Sequence, residues 1–109
     1  MHNSLFLWLL FPLFTFSQID HWESVVLPGD NWNYLVPTSQ PNANWNQPGF
    51  NASSWSSGPS GFGFGDDDDA TVIPTTMSVY IRKTFNITDA SAVGYMVLDI
   101  DYDDGFVAF

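Results

Sequence analysis

The chain has 109 residues, no cysteine, and a net charge of −10, with Arg82 and Lys83 as its only basic side chains. A disulfide framework and a Cys-based zinc site are therefore excluded. The basic footprint that nucleic acid requires is missing, and an anionic membrane surface is disfavoured for the same reason. A cation is the partner that this charge invites.

Residues 5–16, LFLWLLFPLFTF, form one uncharged apolar run. It is too short to cross a bilayer, which takes about 20 residues in a helix. Its length fits the apolar region of a secretory signal. Thr15 and Ser17 supply small residues two apart, so cleavage is expected after Ser17. The segment before the run, MHNS, carries no Lys or Arg. The alternative, a buried apolar element, is opposed by Pro12 and by the lack of a polar face. The expected organisation is a signal peptide over 1–17 and one small module over 18–109. With no cysteine after the apolar run, a bacterial lipid anchor of the usual kind is excluded.

The remaining chain reads as all-β. Gly, Pro, Asn and Ser interrupt short apolar runs every few residues, and no helical period persists beyond a turn or two. In SVVLPGDNWNYLV, Pro28-Gly29-Asp30 predicts a turn between a short run at Val25–Val26 and the alternating WNYLV. Pro fixes φ at the first turn position and Gly accepts a positive φ. PTSQPNANWNQPGF reads as a loop. FNASSW predicts a single helical turn with Asn51 as its cap. SSGPSGFGFG predicts loop or bulged strand, its glycines permitting close backbone approach.

MSVYIRKTFNI, residues 77–87, carries apolar side chains on both faces and predicts a central strand. TDASAVG connects it to YMVLDIDYDD. There Met96, Leu98, Ile100 and Tyr102 alternate with Val97, Asp99, Asp101 and Asp103, the period of a half-buried strand. Asp103-Asp104-Gly105 predicts a turn, and FVAF the start of a return strand.

Two acidic constellations stand out. The first is Asp66, Asp67, Asp68 and Asp69. Four adjacent carboxylates cannot be buried unpaired. They form either a solvated loop or part of a divalent-cation site, with Ca2+ the best match to several carboxylate and carbonyl oxygens. The EF-hand pattern is not met. The second is the stripe Asp99, Asp101, Asp103. Same-face neighbours on a strand lie about 7 Å apart, too far for all three to grip one ion at about 2.4 Å. Two neighbours of the stripe plus Asp104 from the turn could manage it, with Asp103 and Asp104 as candidate metal residues. The competing reading is a solvent-facing strand kept soluble by charge.

Other chemistry finds little support. A glycosidase acid/base pair would need a cleft that a chain of this size builds with difficulty. His21 is the one histidine beyond the expected leader, so a nucleophile lacks its usual base. SGFGFGD resembles a phosphate loop only superficially, since no Lys follows and the aspartates repel phosphate. Sequons stand at Asn51 and Asn86. Of the tryptophans, Trp32 and Trp55 are expected in the core. Trp45, within a Pro/Asn loop, is the candidate exposed platform for a sugar ring.

The stretches PGDNWNYLVP, FNASSWSSGPSGFGFGDDDDATVI, SVYIRKTF and LDIDYDDGFVAF occur here in that order. Together they resemble an N-terminal β-sandwich module of large secreted bacterial proteins, many of them CotH kinase family proteins of Bacteroidetes-type bacteria. The resemblance spans nearly all of 18–109. It implies a galactose-binding-like jelly roll, incomplete here because the closing segment of such modules reads on through Leu-Asn-Gly and further strands. The kinase activity of that family does not carry over, because none of its catalytic segment is present.

The expected function is thus a non-catalytic module that positions, adheres or binds carbohydrate. Its expected partners are downstream domains of the same polypeptide and a glycan, with no nucleic acid and no membrane span after leader cleavage. Two alternatives are a fragment of an enzyme, kinase or hydrolase, whose catalytic part lies elsewhere, and a free-standing calcium-dependent sugar binder.

Overall fold

The computed structural model describes residues 21–109. The leader expected over 1–17 lies outside the described residues. The rest is β-rich with almost no helix. Five short strands, β1 (Asn31–Leu35), β2 (Ser56–Pro59), β3 (Phe62–Gly63), β4 (Thr71–Val72) and β5 (Tyr80–Arg82), are followed by a 3-10 turn at Ala90–Ala92. No helix among the described residues is long and apolar enough to cross a membrane.

The strands form two groups. One is a three-stranded antiparallel sheet in the order β2-β1-β5, and the other is the parallel pair β3-β4. In the larger sheet Trp32 faces Gly58, and Tyr34 stands between Ser56 and Ile81. The two groups touch where the Tyr34 and Phe62 rings meet at 5.1 Å, and where Thr71 packs on the buried Gly58. A Cβ at residue 58 would strike the Thr71 side chain, so glycine is what lets β4 approach β2. Thr71 Oγ1 also donates to the Pro59 carbonyl at 2.6 Å.

The Pro28-Gly29 turn forms as expected. The Asp30 amide donates to the Leu27 carbonyl at 3.1 Å, and Gly29 takes φ +86°. Asp30 closes the turn from its side chain, Oδ2 accepting from the Leu27 amide at 2.9 Å. The turn does not join two paired strands, however. Val25 and Val26 belong to no ladder, and β1 pairs instead with β2 and β5. The Asp30 carbonyl accepts from the Ser60 amide at 3.0 Å, so the turn is tied to the far end of β2.

Two further strand expectations are corrected. The central strand expected over 77–87 contracts to Tyr80–Arg82 and lies at the sheet edge, with β1 at the centre. A local turn competes on its N-terminal side, where Thr76 Oγ1 donates to the Ser78 carbonyl at 2.9 Å. The alternating segment 95–102 and the return strand 106–109 join no ladder. Alternation alone makes no strand, because the backbone needs a neighbour to complete its hydrogen bonds. Between these segments the chain does bend at Asp103-Asp104. Asp104 takes φ +79°, and the Tyr102 and Phe106 rings meet across the bend at 4.7 Å.

The buried apolar core is small, with Ala52 and Ile73 its buried members among the described residues. Around it lies an aromatic cluster. Trp45 stacks on Trp55 at 6.2 Å and meets the edge of Tyr80 at 5.1 Å, and Phe50 meets Trp55 at 5.7 Å. Trp55 is carried by a hydrogen-bonded turn and not by the helical turn expected: its amide donates to the Ala52 carbonyl at 2.9 Å, and Asn51 Oδ1 accepts from the Ser53 amide at 3.0 Å.

Candidate functional site

The acidic run lies in the loop between two parallel strands. Residues 64–70 leave β3 and return into β4, whose register is Phe62 with Thr71 and Gly63 with Val72. The Thr71 amide donates to the Gly61 carbonyl at 3.0 Å, and the Ile73 amide to the Gly63 carbonyl at 2.9 Å. These bonds hold both ends of the loop together, so the carboxylates crowd instead of spreading. Gly65 and Asp67 both take left-handed backbone, φ +90° and +62°, which folds the run back on itself.

Asp66, Asp68 and Asp69 each offer one carboxylate oxygen, and these oxygens all lie within 4.8 Å of one another. Three oxygens this close can share one divalent cation, and carboxylate oxygens are the ligands that Ca2+ prefers. Asp69 is half-buried and its carboxylate rests against Gly63, where any Cβ would collide with it. Its pKa is held above the usual carboxylate range, first by desolvation and then by the negative charges of Asp68 and Asp66.

The second acidic segment meets the first. A cleft of about 600 Å³ is lined by Asp66, Asp68 and Asp69 on one side and by Asp101, Tyr102 and Asp103 on the other, with Phe62 and Gly61 between them. Of the six residues expected from sequence to hold a metal, four line this cleft: Asp66, Asp68, Asp69 and Asp103. Asp67 and Asp104 do not, and both are spent on left-handed turn positions. Asp104, expected to join two stripe neighbours from the turn, does not line the cleft, whereas Asp101 does. Its place in the stripe was the available signal, but which carboxylate faces the loop depends on the bend at Asp103-Asp104.

No basic side chain offsets this charge. Arg82 donates to the carbonyls of Gln47 at 3.0 Å and Phe50 at 3.4 Å, and its guanidinium lies 5.4 Å from the Phe50 ring centre. Lys83 Nζ donates to the Asn31 carbonyl at 2.9 Å. Among the described residues one ion pair forms, His21 with Glu23 at 3.3 Å.

Trp45 is not the free platform expected of it. It is half-buried, with Trp55 on its face, Tyr80 at 5.1 Å and Phe109 at 5.4 Å on its edges. Arg82 causes this by binding the far end of the loop, so that residues 45–50 fold onto the sheet. Trp32 and Trp55 are likewise half-buried, and Trp22 is the exposed tryptophan of the described residues.

A search of protein-family models, of curated proteins and of solved structures returns no match to this chain.

Proposed function

We propose that this chain is a non-catalytic, β-rich module of a secreted or cell-surface bacterial protein of the CotH-like kind. It attaches or positions a larger polypeptide by binding carbohydrate, and its acidic cleft takes a calcium ion. The observation that carries this reading is the convergence of Asp66, Asp68 and Asp69 with Asp101 and Asp103 around one cleft. Two segments more than thirty residues apart bring like charges together, and neither Arg82 nor Lys83 lines the cleft. A divalent cation with oxygen ligands relieves that repulsion and ties the second segment to the loop.

Affinity electrophoresis through gels containing soluble polysaccharides, with millimolar calcium or with EDTA, tests the reading. Retardation by at least one polysaccharide in calcium, lost in EDTA, is the expected result. Equal mobility in every gel would remove the carbohydrate reading while leaving the cation site to be tested alone.

A further inference from the structure

The stretch from Tyr95 to Ile100, which runs on through Asp101 to Asp103 into the cleft, is accounted for by neither the ladders nor the cleft. It belongs to no ladder, and no backbone hydrogen bond among the described residues involves it. Tyr95, Met96, Val97 and Leu98 are all exposed, Val97 to 72%. Yet its alternation of apolar and acidic residues is that of a strand with one apolar and one charged face. Asp99, Asp101 and Asp103 have no basic partner among the described residues.

We propose that this segment docks an extended, cationic partner strand, one that alternates Lys or Arg with apolar residues. Charge selects this occupant. A partner strand of that kind supplies the missing ladder bonds, covers Met96, Leu98 and Ile100, and sets its cations opposite the aspartates. A second copy of the chain is disfavoured, since it would bring another net charge of −10 and place aspartates against aspartates. Arg82 and Lys83 on the β5 side of the sheet already donate to carbonyls, so no Lys or Arg among the described residues is free to face the aspartates.

The test is amide hydrogen exchange on the full chain in EDTA, which separates this proposal from the calcium site. Three synthetic probes of about ten residues are used: alternating Lys and Val, the same composition in two blocks, and alternating Glu and Val. The alternating cationic peptide is expected to slow exchange across 95–103 by at least about tenfold, the block and acidic peptides far less. The triple change Asp99→Asn, Asp101→Asn, Asp103→Asn is expected to abolish most of that slowing. Equal slowing by the block peptide would overturn the proposal in favour of unspecific charge attraction. Slowing without any peptide would also overturn it. If that slowing depended on protein concentration, the occupant would be a second copy; if not, it would be the free edge of β5.

Discussion

The carboxylate of Asp69 occupies the space that a side chain on Gly63 would need. Gly63 lies in β3 and Asp69 ends the acidic run, so the Asp69 carboxylate packs directly against the strand. A Gly63→Ala change must push Asp69 out of line with Asp66 and Asp68. It is expected to weaken calcium binding by about tenfold to a hundredfold, the usual cost of misplacing a ligand through its support. Isothermal titration with calcium reads the effect, and Gly49→Ala, where a Cβ meets open space away from the cleft, serves as the control.

Arg82 holds the Trp45 loop by donating to Gln47 and Phe50. Lysine keeps the charge but not the planar fork, so it cannot reach both carbonyls at once. Arg82→Lys is expected to cost about 1–2 kcal/mol in urea unfolding, the worth of one or two such hydrogen bonds. The Trp45 emission of that variant should shift to the red as the loop loosens.

Trp45 links Trp55, Tyr80 and Phe109. Its removal takes the centre from the aromatic cluster. Because Trp45 is half-buried, Trp45→Ala is expected to destabilise by about 2 kcal/mol, less than a core tryptophan would. If the cluster binds sugar, polysaccharide should quench the tryptophan emission of the parent chain and not that of Trp45→Phe to the same depth.

Two aspartates give opposite responses to pH. Asp69 has a raised pKa, so the folded chain binds this proton more tightly than the unfolded one. Its contribution to stability therefore falls as pH rises from the usual carboxylate range through the raised value. Asp89 is the reverse. Hydrogen bonds from the Ser91 hydroxyl and amide lower its pKa, so its contribution is full above the usual range and lost as pH falls through the lowered value. Asp69→Asn should thus flatten the fall in stability on the alkaline side of that range. Asp89→Asn should flatten the loss on the acid side. Urea midpoints from pH 3 to pH 7 check both signs.

Local chemistry was legible in the sequence, and long-range pairing was not. The Pro28-Gly29 turn, the Asn51-capped turn and the bend at Asp103-Asp104 each depend on a few adjacent residues, and each forms. The short 3-10 turn at Ala90–Ala92 was read only as a connection, although Asp89 caps it in the manner usual for Asp. Strand partners failed differently. The alternation over 77–87 and 95–102 states which faces are apolar but names no neighbour, so the shortening of one and the lack of a ladder in the other could not be foreseen. The site was half legible for the same reason. The run Asp66–Asp69 announces itself, whereas its meeting with Asp101 and Asp103 depends on how two distant segments cross.

The most direct measurement is the thermal midpoint of the full chain in millimolar calcium, millimolar magnesium and EDTA. A ligand that binds only the folded state stabilises it by RT ln(1 + L/Kd), L being its free concentration, and so raises the midpoint. The account predicts a clear rise in calcium, a smaller one in magnesium, and loss of the calcium effect in Asp66→Asn with Asp68→Asn. An equal midpoint in calcium and EDTA would contradict it, leaving the aspartates as a solvated acidic surface.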